Sequence, residues 1–182
     1  NVIQWAHYGA NGEALPDEHG CAMVRSTFNE RKQQTSRACF DAKGKPVLDK
    51  DGYARETWKH DARGNNTEVA YFGTAGKPIL SKFGIARFKK RFDARGNIIE
   101  EIYFDTKGKP IVLRGGCAIR RWTYNERKQP TSRTCFDAKD KPVLDKNGYA
   151  RVTYEHDARG NNTEVAYFGT DGKPILSKTG SA

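Results

Sequence analysis

Apolar and polar positions recur along this chain with a period of 32 residues, and glycine marks the register. Within each period two β-capable runs flank a short turn, and no insertion or deletion interrupts the series. Self-similarity at a fixed period is the signature of a repeat architecture. The register glycines are Gly20, Gly52, Gly84, Gly116, Gly148 and Gly180. They predict a partial unit at 1–19, full units at 20–51, 52–83, 84–115, 116–147 and 148–179, and the start of another at 180–182.

The turn between the two longer runs of a unit has the sequence Asp-Ala-Arg-Gly, as at 61–64. This tetrapeptide suits a type I turn followed by a residue at positive φ, which glycine adopts without strain. In the units 20–51 and 116–147 the turn becomes Asn-Glu-Arg-Lys, so that Lys32 and Lys128 replace the glycine. We expect these two turns either to carry strain or to change type.

A second turn ends at Gly76, and Pro78 opens a third run, Ile79-Leu80. Because proline lacks a backbone donor, this third run should be short or lie at an edge. Each unit is therefore predicted to be two longer strands and one short strand in antiparallel meander order. For residues 1–182 as a whole we expect an all-β fold: one elongated tandem array of hairpin units, resembling a β-solenoid stack.

The aromatic core is predicted at the positions of Tyr53, Tyr71 and Phe72, which are apolar or Cys in every unit. The neighbours Tyr71 and Phe72 cannot both point inward on a flat strand, because side chains alternate between the two faces. Either a bulge or two buried faces would resolve this conflict.

The four cysteines occupy paired positions of the repeat. Cys21 and Cys117 take the Tyr53 position, and Cys39 and Cys135 take the Tyr71 position. A hairpin brings the two positions opposite each other or one diagonal step apart, which predicts the disulfides Cys21–Cys39 and Cys117–Cys135. Free buried thiols are the alternative, and a zinc site is disfavoured because Cys-x-x-Cys spacing is missing. Disulfides in turn indicate an oxidising compartment, hence an extracellular or cell-surface protein.

The net charge of +10 permits contact with an anionic polysaccharide or envelope surface, but the charges are spread over all units and also fit solvated strand faces. The sequence has no 18-residue apolar run, which predicts that no segment spans a bilayer. Residues 20–83 and 116–179 share 51 of 64 positions, so we expect a longer parent repeat protein. The expected partners are therefore the rest of such a protein or further copies of this chain.

Motifs of catalysis and cofactor binding do not occur in the sequence. It contains no nucleophile elbow, phosphate loop, metal-binding helix or dinucleotide fingerprint. His60 and His156 stand where other units have Phe or Tyr, which favours aromatic packing. We therefore predict a protein that is not an enzyme and that uses neither a cofactor nor a metal ion.

The turn motifs resemble two repeat families. His60-Asp-Ala-Arg-Gly-Asn-Asn-Thr-Glu68 and Phe92-Asp-Ala-Arg-Gly-Asn97 resemble the YD repeats of rearrangement-hotspot proteins and teneurins. That resemblance implies an exported or surface β-hairpin array used as a shell, stalk or adhesive. Cys39-Phe-Asp-Ala-Lys-Gly-Lys45 and Tyr103-Phe-Asp-Thr-Lys-Gly-Lys109 are similar to the cell-wall-binding repeats of secreted bacterial proteins, which hold choline or glucan with aromatic side chains.

Two hypotheses of function follow, and a third rests on charge alone. The first is a structural or adhesive scaffold, a stalk, shell or fibre, which assembles head to tail if its uncapped ends complete each other. The second is a multivalent module for carbohydrate or cell envelope, with Trp58, Trp122 and Tyr154 as ligand-binding residues. Non-specific nucleic-acid binding would weaken steeply with salt, and the predicted disulfides argue against it.

Overall fold

The structure, a computed structural model, describes residues 1–113 and 115–176, and these residues form strands, turns and loops without a helix. The prediction of an all-β fold is confirmed. The predicted unit start at 180–182 lies outside the described residues. The strands are β1 (Val2–Tyr8), β2 (Ala14–Leu15), β3 (Met23–Phe28), β4 (Gln34–Phe40), β5 (Arg55–His60), β6 (Asn66–Phe72), β7 (Arg87–Phe92), β8 (Ile98–Phe104), β9 (Ile119–Tyr124), β10 (Pro130–Phe136), β11 (Arg151–His156), β12 (Asn162–Phe168) and β13 (Pro174–Ile175).

The strands form one antiparallel meander sheet that does not close, in the order β13-β12-β11-β10-β9-β8-β7-β6-β5-β4-β3-β1-β2. The chain divides into two compact units, one of Asn1–Phe88 with Phe104–Gly108 and one of Lys89–Tyr103 with the chain from Lys109 onward. In the described ranges no helix is long and apolar enough to cross a bilayer.

The turn at 61–64 is held by its own aspartate. The Oδ1 atom of Asp61 accepts hydrogen bonds from the backbone N–H groups of Arg63 and Asn65, both at 2.9 Å, and Gly64 has φ 91°. At the equivalent places Lys32 and Lys128 have φ 61° and 63°. The turn therefore keeps its type when lysine replaces glycine, and the two lysines adopt the left-handed conformation that β-carbons disfavour.

The prediction of a third strand in each unit is mostly wrong. In the inner units it is reduced to single bridges, Phe40 with Pro46, Phe72 with Pro78 and Phe136 with Pro142. The reason is that the next unit's first strand takes the same edge: Cys39 O accepts from Val47 N at 3.1 Å while Cys39 N donates to Ala54 O at 2.8 Å. Two-residue strands form only as β2 and β13 in the described part of the chain.

One part of the core lies on the sheet face that carries Val24 and Cys39, where the loop after this hairpin covers it. Cys21, Val24 and Cys39 form a buried cluster against which Val47 packs. In the next unit the rings of Tyr53 and Tyr71 occupy the cysteine positions, as the sequence predicts. Both are buried, at 8% and 9% exposure.

The conflict between Tyr71 and Phe72 is resolved because the opposite face is covered as well. The guanidinium of Arg55 lies 4.5 Å from the centroid of the Phe72 ring, which is thereby half-buried. The same pairing recurs in every unit, with Arg25 over Phe40, Arg87 over Phe104, Arg121 over Phe136 and Arg151 over Phe168. Such contacts combine apolar burial with the attraction of a cation for a π face.

Arginines of the hairpin turns also link consecutive units. Arg31 Nη1 donates to the carbonyl of Ala62 in the next turn, and Arg127 Nη1 donates to that of Ala158. Arg95 Nη1 donates to the Asn125 carbonyl at 3.3 Å. These bonds join turns that lie about 31 residues apart, so each hairpin is braced at its turn as well as along its strands.

Candidate functional site

Both predicted disulfide bonds are present in the structure. The Cα atoms of Cys21 and Cys39 lie 5.2 Å apart, and those of Cys117 and Cys135 lie 5.3 Å apart, within the usual range. The register differs from the expected one, because Val24 and not Cys21 stands opposite Cys39 on the ladder. Cys21 lies in the loop before β3, so the bond joins the covering loop to the second strand of the hairpin.

The three aromatic residues predicted to bind ligand lie on strands and are half-buried. Trp58 on β5 stands opposite Val69, Trp122 on β9 opposite Arg133, and Tyr154 on β11 opposite Val165. Trp122 and Tyr154 share a face, since Arg133 of the intervening strand pairs with Trp122 on one side and Val152 on the other. Their role in binding stays a prediction.

A cleft with a volume of about 820 Å³ lies elsewhere, beside β1. Aromatic rings and carboxylates line it together. Its lining comprises Trp5, His7, Tyr8, Leu15, Pro16, Asp17, Glu18, His19, Arg37, Asp51, Tyr53 and Glu56. Neither Trp58, Trp122 nor Tyr154 contributes to it.

The aromatic wall of the cleft is built by β1. Trp5 and His7 lie two residues apart and so share one face of the strand. Their rings meet edge to face, with centroids 5.1 Å apart and planes at 90°. Tyr8, at the end of the strand, is 69% exposed. Trp5 is 40% exposed and His7 is exposed as well, so these rings are open to solvent.

The loop after β2 supplies the acidic rim. Asp17 Oδ1 accepts from the backbone N–H groups of His19 at 2.8 Å and Cys21 at 2.9 Å. Burial alone would raise the pKa of Asp17, but these two hydrogen bonds and the nearby positive charges hold it below its ordinary value. Asp17 is therefore fixed by its turn, whereas the side chain of Glu18 is 83% exposed, with its Oε1 atom 3.5 Å from His19 Nε2.

The remaining lining of the cleft comes from the units 20–51 and 52–83. The hydroxyl of Tyr53 donates to Glu56 Oε2 at 3.3 Å. Burial raises the pKa of Tyr53 and that of Glu56, and in the case of Glu56 the positive charge of Arg37 opposes this effect. Arg37 itself forms a 3.4 Å ion pair with the buried Asp49.

This arrangement suits recognition of sugar hydroxyls and ring faces. Trp5 and Tyr8 offer flat apolar surfaces with polar edges, while Glu18 and Glu56 offer acceptor oxygens and Arg37 offers donors. An open cleft with a few convergent polar groups is the usual form of a small-ligand site. Within the described residues, no group of three or more His, Cys, Asp and Glu side chains is placed to hold a metal ion.

The sequence did not reveal this cleft, because its walls come from segments 50 residues apart. A signal was nevertheless present in the partial unit: Trp5 and His7 stand where the unit 52–83 has Val69 and Tyr71, so the first strand departs from the repeat. Comparison with known proteins finds no matching family model and no curated protein of significant similarity.

Proposed function

We propose that this chain is a non-enzymatic structural and adhesive scaffold, exported or displayed at the cell surface as a stalk, shell or fibre. The observation that supports this best is that the same kinds of side chain recur along the chain and stabilise contacts within and between the hairpins. Turn arginines bind the next turn, strand arginines cover phenylalanines, and cysteines close hairpins. The same side chains in a single-site protein would be expected to converge on one place.

The test of a scaffold is whether a whole unit can be removed. Excision of residues 52–83 joins Asp51 to Gly84 and keeps the 32-residue register, so that Ala94 takes the place of Ala62 beneath Arg31. We expect the excised protein to keep a β-sheet circular dichroism spectrum and a single cooperative unfolding transition. The control removes residues 52–75, which breaks the register. If both excisions unfold the protein, the scaffold proposal fails.

Export is tested separately through the thiols. The two disulfides are compatible with an oxidising compartment. Alkylation of the protein in freshly lysed host cells, before any reducing agent is added, should leave all four cysteines unmodified. Complete alkylation would place the protein in a reducing compartment and contradict export.

A second candidate function is carbohydrate binding, and the cleft beside β1 favours it. Calorimetric titration and glycan arrays should show binding that Trp5→Ala abolishes. Trp58→Ala and Trp122→Ala serve as matched controls, since they remove indoles that do not line the cleft. If binding is lost in these two variants and kept in Trp5→Ala, the repeated aromatic positions are the sites and the cleft is not.

A further inference from the structure

Arg87 and Arg121 occupy comparable places in two consecutive hairpins of the repeat. The guanidinium of Arg87 lies 4.3 Å from the centroid of the Phe104 ring, and that of Arg121 lies 4.6 Å from the centroid of the Phe136 ring. Each phenylalanine is the last residue of its strand, so a turn follows it directly. The two arginines therefore lie beside equivalent turns, and what each turn offers them can be compared.

The turn after the phenylalanine ends in Asp140 in one hairpin and in Gly108, 32 positions earlier, in the other. Both residues have positive φ, 64° for Asp140 and 77° for Gly108. The Oδ1 atom of Asp140 lies 2.7 Å from Arg121 Nη1, so the turn supplies a carboxylate to this arginine. Gly108 has no side chain, and a β-carbon placed on it would lie 3.7 Å from Arg87 Nη2. The turn beside Arg87 therefore leaves the equivalent carboxylate position unfilled.

A cleft of about 460 Å³ opens at this position. Its charged side chains are Lys59, Glu68, Arg87, Asp105 and Lys107. They come from β5, β6, β7 and the turn after β8, in the middle of the sheet, and all belong to the compact unit of 1–88 with 104–108. A cleft of this volume is within the usual range for a small ligand.

Positive charge exceeds negative charge in this cleft, since three cationic side chains face two carboxylates. Glu68 lies 2.9 Å from Lys59 Nζ and 3.8 Å from Arg87 Nη1, and Asp105 Oδ1 accepts a 2.8 Å hydrogen bond from Lys107 N. The counterparts in the following hairpin have three residues of each sign: Arg91, Arg121 and Lys139 against Glu100, Asp137 and Asp140. The cleft is thus short of one carboxylate, the one that Asp140 provides in the following hairpin.

We propose that this cleft binds a small carboxylate ligand, whose carboxylate occupies at Arg87 the place that the Asp140 carboxylate fills at Arg121. Arginine presents its N–H groups as a planar fork that matches a carboxylate. The Arg87 side chain is 31% exposed, and partial shielding from water strengthens its attraction for an anion. Phe72 and Pro78 also line the cleft and offer apolar surface to the body of the ligand. The inference does not rest on the scaffold function, and the cleft shares no lining residue with the one beside β1.

Nuclear magnetic resonance titration of the ¹⁵N-labelled protein tests the site. The probes are glucuronate and benzoate, each with a neutral counterpart, glucose and benzamide. We expect both carboxylates to shift the amide signals of Arg87 and of residues 106–108 in a saturable manner, and the neutral molecules to leave them in place. The stronger of the two carboxylates shows whether the cleft prefers a sugar acid or an aromatic acid.

Gly108→Asp supplies the missing carboxylate from the protein itself and keeps Arg87 in place. We expect it to weaken carboxylate binding about tenfold or more, because the new side chain takes the charge-assisted hydrogen bonds of Arg87. Gly108→Asn is the matched control: asparagine has nearly the same size and also tolerates positive φ, but it carries no charge. It should weaken binding much less. Equal losses in the two variants would contradict the role of the carboxylate.

Asp140→Gly is the reciprocal variant, and positive φ at this position makes glycine acceptable to the backbone. It removes the internal carboxylate from Arg121, so a second ligand should bind there and shift the amide signals of residues 138–140. Far-UV circular dichroism of each variant verifies that the sheet is intact. If Asp140→Gly binds no second ligand, Asp140 does not stand in for a ligand carboxylate and the inference fails.

Three further outcomes overturn the proposal. The first is the absence of saturable shifts with either carboxylate. The second is an equal response to glucose or benzamide, which would make the charge irrelevant. The third is an equal response to sulfate, which would show a general attraction for anions. Shifts at Arg87 that only the carboxylates produce, and that Gly108→Asp but not Gly108→Asn suppresses, establish the site.

Discussion

The rings of Tyr53 and Tyr71 lie 4.7 Å apart, at the two positions that Cys21 and Cys39 occupy one unit earlier. Tyr149 and Tyr167 repeat this ring contact at 4.7 Å. Each hairpin with tyrosines at these two positions fixes its covering loop by an aromatic contact where the cystine hairpins use a covalent bond. The two arrangements occupy equivalent positions of the repeat, so one can be replaced by the other through mutation.

Tyr53→Cys combined with Tyr71→Cys is expected to create a third disulfide. Its loop would have the same length as that of Cys21–Cys39, and a loop of this size stabilises by roughly 3 kcal/mol through chain entropy. Urea unfolding of the oxidised and reduced forms of the same variant isolates this difference, because the cavity left by the rings is common to both. Equal stability of the two forms would show that the tyrosine positions do not tolerate the bond.

The native disulfides should differ little from each other in their effect. Cys21→Ala with Cys39→Ala, and Cys117→Ala with Cys135→Ala, are each expected to lower the free energy of unfolding by about 3 kcal/mol, since both close loops of 18 residues. Denaturant titration without reducing agent measures this. A loss confined to one pair would mean that the compact unit holding the other pair unfolds separately.

The turn lysines provide a test of backbone strain. Lys32→Gly and Lys128→Gly should each stabilise the protein by about 1 kcal/mol, because a residue with a β-carbon at positive φ is strained and glycine is not. Thermal unfolding measures the gain. The reciprocal change Gly64→Lys should destabilise, and by more, since the φ of 91° at Gly64 lies outside the left-handed range of about +50 to +70° that residues with a β-carbon tolerate. A loss of stability in both glycine variants would contradict this account.

The buried ion pair of Arg133 and Asp145 should be sensitive to removal of one partner. Arg133 Nη2 lies 2.8 Å from Asp145 Oδ2 and 2.9 Å from the Tyr149 hydroxyl, and the Asp145 side chain is 4% exposed. Arg133→Met leaves a buried carboxylate without its cation, which costs about 3–5 kcal/mol. Arg37→Met, whose pair with Asp49 is longer at 3.4 Å, should cost less. Chemical denaturation of both variants checks the order.

Acid should weaken the turns that contain aspartate. The hydrogen bond from the Asn65 side-chain amide, together with backbone N–H groups, holds the pKa of Asp61 below its ordinary value, and Asn97 and Asn161 act likewise on Asp93 and Asp157. A lowered folded-state pKa gives stability that is present above the unfolded value of about 3.9 and is lost as the pH falls through the folded value. The denaturant concentration at the midpoint of unfolding should therefore decrease once the pH falls below about 4.

The repeat itself provides a control for this pH dependence, because Asn29 and Asn125 occupy the same turn position as the aspartates. Asn29 Oδ1 accepts the same two backbone bonds, at 3.0 Å each, without titrating. Asp61→Asn, Asp93→Asn and Asp157→Asn combined should flatten the acid limb of the stability curve. An unchanged acid limb would assign the loss of stability to other carboxylates.

The sequence predicts the hairpins and their cross-links because these depend on local order. The turn at 61–64 and the pairing of Cys21 with Cys39 each involve residues within one period, so spacing alone indicates them. The third strand at Pro78 was overestimated, since a single unit does not show that the next unit's strand takes the same edge. The cleft at Trp5 and Tyr53 was missed because it joins an atypical strand to a regular unit.

The position of the strand arginine has a consequence for how hairpins of this kind are inherited and engineered. Arg25 and Arg121 lie five residues after their register glycines, in the two cystine hairpins, whereas Arg55, Arg87 and Arg151 lie three residues after theirs. All five still reach the equivalent phenylalanine ring. The contact between arginine and phenylalanine is thus independent of whether a cystine or another pair of side chains lies on the opposite face, and a graft that transplants the sulfurs alone keeps the phenylalanine covered.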